Sequence, residues 1–346
     1  MTRRLLLVFC LSAVLIRASG IFPYPFIQQD LPNGLRLITI PTDFPNIVSL
    51  YIVVQTGSRN EIEAGKSGFA HLFEHLMFRG TKEFPTDKYQ SALKNAGAAS
   101  NAFTTDDFTA YHTTFSKEDL PAILHMEADR FQHLQYDAAS FKTETLAVLG
   151  EYNKSSANPA QKLRETLRKT AFQEHTYRHT TMGFLADIQK MPEEYDYSLQ
   201  FFQRYYRPEY ATIIVAGDVD PKRVRSLVDR DWSGWKRGSY KAAIPAEPPQ
   251  ANPRTEHVDW PSPTLPWIAV AFRGPRYTDD VNNLTSLDAL SYLAFSPSSE
   301  LYRKLVIDEQ KVDALATDNS DHVDPYLFTI LARVKKPEDV RSVEDD

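Results

Sequence analysis

A proline-rich stretch at residues 236–253 divides the sequence into two parts of unequal length. It contains four prolines and few apolar residues, which is typical of a semi-rigid connector and unfavourable for a helix or a strand. A chain of 346 residues is also long enough for two domains of ordinary size. We therefore predict a first domain at residues 21–237, a linker at 238–255 and a second domain at 256–346.

Strand and helix patterns alternate irregularly in the first part. Runs rich in β-branched and apolar residues predict strands at 35–40, Ile47–Val54 and Ala211–Ala216. Helical spacing and end signals predict helices at Gly68–Arg79, Lys88–Ala96, Leu120–Leu134, Ala139–Asn153, Met191–Tyr205 and Lys222–Asp229. This order predicts an α+β fold, in which a mixed or antiparallel sheet is covered by helices on one side.

The second part repeats the opening of the first part faintly. The predicted strand Trp267–Phe272 and the Arg-Gly-Pro-Arg that follows it are similar to residues 53–59, and a helical segment, Leu284–Leu293, comes next. We interpret the chain as two homologous layered domains. Strand Leu327–Val334 would lie near the end of the sequence without covering elements, so we expect the second domain to be incomplete.

Residues 1–20 have the pattern of a secretory signal peptide. A basic start precedes the apolar run Leu5–Ile16, and small residues follow up to Gly20. This run is shorter than the roughly 20 residues that cross a bilayer, although a short membrane anchor is the alternative. We expect export to the periplasm or the extracellular space, with no membrane span after removal of the signal. Because Cys10 is the only cysteine, a metal bound by the mature chain would need His, Asp or Glu ligands.

The charge balance argues against a nucleic-acid partner. There are 39 Lys and Arg residues against 45 Asp and Glu residues, which gives a net charge of -6. Binding to the phosphate backbone requires a basic surface, and the sequence does not indicate one.

The segment with the clearest chemistry is His71-Leu72-Phe73-Glu74-His75. Residues four apart lie on one face of a helix, so His71 and His75 can present two imidazoles to one metal, and Glu74 flanks the same position. This is the inverted zincin order, His-x-x-Glu-His. A pattern of this kind arises by chance in on the order of one in a hundred such chains, so it needs a third ligand as support.

Glu151 is the candidate third ligand. It lies on the predicted helix Ala139–Asn153, and Glu144 precedes it by two turns on the same face. One carboxylate could bind the metal while the other orients a ligand. On periodicity alone, the two glutamates also fit a solvated helix face.

The segment GFAHLFEHLMFRGT at residues 68–81 resembles the motif of the pitrilysin/insulinase-type (M16) zinc metallopeptidases. Further segments occur in the order of that family, namely Leu31–Leu35, Gly57–Glu61, Ser100–Thr104, Glu144–Glu151 and Tyr206–Val219. The resemblance implies one Zn²⁺ per chain, bound by His71, His75 and Glu151. It also implies that Glu74 is the general base and that Glu144 is a supporting carboxylate.

The same resemblance suggests how a peptide substrate is held. Asn101, Ala102 and Phe103 correspond to an edge strand to which an extended peptide adds through main-chain hydrogen bonds. A simple turn containing asparagine is the alternative for this segment.

The sequence therefore favours an exported zinc endopeptidase that acts on peptides or unfolded segments. The alternative is a catalytically silent or partner-dependent subunit of a peptidase-like complex. A mitochondrial processing role is less favoured, because the N-terminus is apolar and lacks the Arg- and Ser-rich character of a transit peptide. Since the family completes its active chamber with further homologous domains, we expect a homodimer or a complex with a related M16-like subunit.

Overall fold

A computed structural model describes residues 22–278 and 281–346, with the backbone alone at 281–283. The predicted signal segment, residues 1–20, lies outside the described residues. Among the helices that are described, none has the length and apolar character needed to span a bilayer.

The first domain consists of one sheet and its covering helices. Its strands are β1 (Ile27–Asp30), β2 (Arg36–Pro41), β3 (Ile47–Val54), β4 (Ala99–Thr104), β5 (Thr109–Ser116) and β6 (Ala211–Gly217). Its helices are α1 (Phe69–Leu76), α2 (Thr86–Asn95), α3 (Leu120–His133), α4 (Ala138–Ser156), α5 (Pro159–Ala171), α6 (Leu185–Lys190), α7 (Tyr195–Tyr205) and α8 (Pro221–Trp232).

The sheet is mixed, as predicted. Its strand order is β1-β2-β6-β3-β5-β4, in which β2 and β6 pair in parallel and the other neighbours pair antiparallel. Alternate residues of β3, from Val48 to Val54, are buried in the core, whereas the residues between them are half-buried. This alternation reflects the two-residue period of a strand that packs on one face, and it places the helices on that face.

One helix prediction for the first domain needs correction, and the sequence did not predict α5 or α6. The helix predicted at Met191–Tyr205 is divided, because Met191–Glu193 form a 3₁₀ turn and α7 begins only at Tyr195. Helix α5 was not predicted, although Asn158 and Pro159 have the composition of a helix start. The Asn158 side chain accepts a hydrogen bond from the Ala160 N–H at 3.0 Å and so caps this helix.

The second domain contains a three-stranded antiparallel sheet and helices. The strands β7 (Trp267–Arg273), β8 (Val312–Asp318) and β9 (Leu327–Val334) are arranged in the order β7-β9-β8. The helices are α9 (Val281–Phe295), α10 (Glu300–Tyr302, continued by the π-helical turn Arg303–Asp308) and α11 (Val340–Asp345). Strand β8 was not predicted from the sequence.

Residues 238–255 contain no helix or strand, and they run along the first domain. The carboxylate of Glu247 accepts backbone N–H groups of Gln173, Glu174 and His175 at 2.9 to 3.0 Å. These bonds hold the connecting segment against the end of α5, next to the region where the two domains meet.

Candidate metal centre

Helix α1 carries His71, Glu74 and His75, and its first turn is held from outside the helix. Gly68 precedes α1 with a left-handed φ of 93° and offers no capping side chain. The carboxylate of Glu61 instead accepts the backbone N–H groups of Gly68 and Ala70, both at 2.7 Å. A side-chain oxygen at a helix N-terminus satisfies N–H groups that have no partner within the helix, so Glu61 fixes the start of α1.

The structure brings together the three residues that the sequence suggests as metal ligands. Oε2 of Glu151 lies 3.6 Å from Nε2 of His71 and 3.6 Å from Nε2 of His75. The two imidazole rings are 4.9 Å apart and nearly perpendicular. One ligand atom from each residue lies within 4.8 Å of the others, and the described residues contain no second group of this kind.

These donor atoms fit a zinc ion. Two nitrogens and one carboxylate oxygen are typical ligands of a catalytic zinc, which keeps a fourth position open. Donors about 2.1 Å from a tetrahedral zinc are about 3.4 Å from one another, close to the two distances of 3.6 Å found here. The side chain of Glu151 is 50% exposed, so the group is open on one side.

Glu144 lies behind His75. Its Oε2 is 3.3 Å from Nδ1 of His75, and its other oxygen forms an ion pair with Arg79. The hydrogen bond between Glu144 and His75 raises the pKa of the histidine and lowers the pKa of the glutamate. This geometry fixes the ring orientation and leaves Nε2 of His75 directed at Glu151. Arg79 was not predicted to take part, although it lies only four residues after His75, in the 3₁₀ turn Met77–Arg79 that follows α1.

His71 is the more buried of the two histidines. Burial and the neighbouring His75 lower its pKa to about 4. The imidazole is therefore neutral near pH 7, and a neutral imidazole is the form that binds a metal.

The carboxylate of Glu74 is held at the end of strand β4. Thr104 donates its hydroxyl to Oε2 of Glu74 at 2.7 Å. Burial raises the pKa of Glu74, and the bond from Thr104 opposes that change. Thr104 belongs to the segment predicted to hold the substrate, but its bond to Glu74 was not predicted, because no local sequence signal joins residues 30 positions apart.

Asn101, Ala102 and Phe103 lie in the middle of β4, so the alternative of a simple turn is wrong. Strand β4 is at the end of the six-stranded sheet and pairs with β5 on one side only. Ala102 faces the core, while Asn101 and Phe103 are exposed. The outer edge of β4 therefore presents backbone groups that another extended chain could bind.

A cavity of about 400 Å³ is lined by both domains, and its wall includes Tyr152, the residue after Glu151 on α4. Helix α4 contributes Ser155, which is one turn after Glu151 and on the same face. The turn Thr105–Phe108 between β4 and β5 forms another wall, and residues 320–322 of the second domain close the cavity.

Two family models match the sequence. Residues 36–184 match the insulinase domain of peptidase family M16, and residues 194–345 match the domain described as the M16 inactive domain. The chain belongs to peptidase family M16. Together the two matches extend over most of the sequence, and the second begins at residue 194, so it includes α7, β6 and α8 of the first structural domain.

Named relatives and a solved structure support this assignment. The chain is 30% identical over 309 residues to the zinc protease PqqE of Helicobacter pylori, which corresponds to 87% of this chain and 68% of that protein. A crystal structure of a protease from Helicobacter pylori superposes with a TM-score of 0.85 and 28% identity, covering 92% of this chain and 78% of the other. The chain is also 26% identical over 254 residues to subunit 1 of the rat mitochondrial cytochrome b-c1 complex, which covers 73% of this chain and 52% of that subunit.

Proposed function

We propose that this M16 protein is a zinc-dependent endopeptidase that hydrolyses peptides or unfolded segments. The observation that carries the proposal is the convergence of His71, His75 and Glu151 beside the carboxylate of Glu74. The name of the Helicobacter pylori relative, a zinc protease, supports the same reaction class.

Glu74 is the proposed general base. His71, His75 and Glu151 would hold the zinc ion, which would supply a water molecule with its pKa lowered towards about 7 and a Lewis acid for the scissile carbonyl. Glu74 takes a proton from the attacking water and later delivers it to the leaving amine. Its raised pKa suits both steps, since a carboxylate that is too acidic would not keep the proton. Thr104 holds this carboxylate in place, and Glu144 holds the ring of His75.

The substrate is proposed to bind as an extended chain along the outer edge of β4. Main-chain hydrogen bonds to a strand edge are indifferent to side chains, which suits an enzyme that accepts unfolded segments. The neighbouring cavity, with a volume of about 400 Å³, could then receive a substrate side chain.

The remaining parts of the proposal concern the metal content, the location and the partners of the chain. We propose one zinc per chain, because the described residues contain one suitable ligand group. The apolar N-terminal segment supports export to the periplasm or the extracellular space. A second copy of the chain or a related M16 subunit is the proposed partner.

The second candidate function is a catalytically silent or partner-dependent subunit. The similarity to a subunit of the cytochrome b-c1 complex favours this candidate, because that relative is named as a part of a larger assembly. The two candidates differ in whether peptide hydrolysis depends on Glu74.

The test combines elemental analysis with a peptidase assay. We expect the purified chain to contain one zinc and to hydrolyse a quenched fluorescent peptide, and we expect Glu74→Gln to bind zinc without turnover. Glu118→Gln is the matched control, because Glu118 is exposed and distant in sequence from the ligands. Zinc without turnover in the parent would favour the silent subunit, and a chain that does not bind zinc would contradict the proposed centre.

A further inference from the structure

A short loop of the second domain, residues 320–324, is inserted against the turn that joins β4 to β5. His322 is buried in this contact, and its Nε2 lies 3.0 Å from Oδ2 of Asp106. The backbone N–H of Val323 donates to Asp107 at 3.0 Å. The loop therefore contacts the two successive aspartates at the tip of the β4–β5 hairpin.

Asp106 is ionised in this contact. Its Oδ1 accepts the Ser58 hydroxyl at 2.6 Å and Nη2 of Arg168 at 2.7 Å. Burial of Asp106 acts to raise its pKa, but the charge of Arg168 and the hydrogen bonds from His322 and Ser58 lower it well below the usual range. Both oxygens of Asp106 therefore act as hydrogen-bond acceptors.

The partners of His322 require both of its ring nitrogens to donate. Nε2 faces the ionised Asp106, and Nδ1 lies 2.8 Å from the backbone carbonyl oxygen of Ser320. A carbonyl oxygen and a carboxylate can only accept, whereas a neutral imidazole has one N–H and one acceptor nitrogen. Both bonds form together only when His322 is an imidazolium.

A second interface histidine has the opposite requirement. Nδ1 of His175 accepts the backbone N–H of Tyr177 at 3.1 Å, and its Nε2 lies 3.0 Å from Asp324 of the inserted loop. One acceptor and one donor nitrogen satisfy these two contacts, so His175 is neutral there. The proton requirement is thus specific to His322.

We propose that residues 320–324 form a proton-dependent latch between the two domains, closed while His322 is an imidazolium and released when it loses a proton. The closed latch completes the wall of the cavity between the two domains, because residues 320–322 line that cavity. The proposal concerns domain closure and does not depend on peptidase activity.

The sign of the pH dependence follows from the surroundings of His322. The first domain surrounds it with Asp106 and Asp107 of the hairpin, Tyr177, and Arg168 of α5, which also binds Asp106. The second domain contributes Asp321, which precedes His322 in the loop, and Tyr326.

Burial acts to lower the pKa of His322, but the hydrogen bond and the charge of Asp106 outweigh burial and raise it. The pKa of His322 is about 6.5 in the open form and higher in the closed form. Its protonation therefore stabilises the closed form fully below about pH 6.5, and this stabilisation is lost as the pH rises through the pKa of the closed form. At a pH above both pKa values, the equilibrium constant for closure is lower than at low pH, by about tenfold for each pH unit that separates the two pKa values.

The test measures the proton and the loop on the full chain. Hydrogen exchange at the imidazole carbon, followed by mass spectrometry, gives the pKa of His322 directly. Backbone amide exchange of residues 319–326, referenced to β3 in the same sample, reports latch closure between about pH 6 and about pH 9. We expect the pKa of His322 to lie above 6.5 and the protection of the loop to fall across that pKa.

Two variants separate the latch from general effects of pH. His322→Gln should make the protection of the loop independent of pH, because glutamine carries no titrating proton. His257→Gln should behave as the parent, since His257 is exposed in the linker and pairs only with the exposed Asp259. The proposal is overturned if His322 titrates at or below 6.5, if the protection of the loop in the parent does not change with pH, or if both variants behave alike. Should His322→Gln fail to fold, the titration of the parent decides alone.

Discussion

Removal of the Glu144 carboxylate tests the support that the centre gives to His75. In Glu144→Gln, an amide oxygen can still accept the N–H of His75, but the charge is lost and Arg79 loses its anionic partner. In Glu144→Ala, Nδ1 of His75 loses this contact altogether. The two variants therefore weaken the same support in two steps.

The expected magnitude follows from the position of Glu144. Loss of a carboxylate that orients a metal-binding histidine costs about 10- to 100-fold in metal affinity, or about 1.4 to 2.8 kcal/mol. The side chain of Glu144 is only 14% exposed, so water replaces it poorly. We expect about tenfold weaker zinc binding for Glu144→Gln and a loss towards 100-fold for Glu144→Ala.

The assay is competition for zinc with a chromophoric chelator at neutral pH. Glu118→Gln is again the matched control, and it should bind zinc as the parent does. If both Glu144 variants bind zinc within about threefold of the parent, Glu144 does not support the ligand and the reasoning from its geometry is refuted.

Two further predictions concern stability. Arg130 is buried among four aromatic rings and pairs with the buried Glu127, so Arg130→Ala should lower the free energy of unfolding by about 3 to 5 kcal/mol in urea denaturation. Arg225→Ala, which removes a surface pair, should cost no more than about 1 kcal/mol, and equal losses would contradict the assigned role of burial. Burial raises the pKa of Glu61 to about 8, well above its unfolded value of about 4.3. The stability that the protonated Glu61 contributes should therefore be present at low pH, fall between about pH 4.3 and about pH 8, and be lost above that. Glu61→Gln should flatten this decline in urea titrations at successive pH values, and an unchanged slope would show that Glu61 does not titrate there.

The helix of the candidate metal ligands and the spacing of these residues could be predicted because both depend on local periodicity. His71 and His75 share a face at a spacing of four residues, and Glu144 shares a face with Glu151 at a spacing of seven. The sequence alone could not place these two helices against each other, and the family resemblance supplied that step. The structure adds the contact itself, with Glu151 3.6 Å from each histidine.

Contacts that depend on strand pairing could not be predicted in this way. Strand β5 was not predicted, so the edge position of β4 came from the family resemblance alone and the hairpin between the two strands did not follow. The bond from Thr104 to Glu74 spans 30 residues, and the bond between Asp106 and His322 spans 216. Both depend on how the sheet and the domains assemble, and periodicity within a segment carries no information about such distant pairs.

The hairpin lies close to the second domain, which falls within the match to the domain described as inactive, residues 194–345. Thr104, at the end of β4, holds Glu74, and Asp106, two residues later, holds His322 of the second domain. Gly57 packs so tightly on the hairpin that an added Cβ would lie 2.4 Å from the backbone oxygens of Thr105 and Asp106. The residue that holds the proposed base, Thr104, is therefore only two positions from Asp106 at the domain interface, and the turn between them is rigid. The candidate metal ligands all lie in the first domain, whereas the second domain supplies His322, which completes the hydrogen bonds of Asp106.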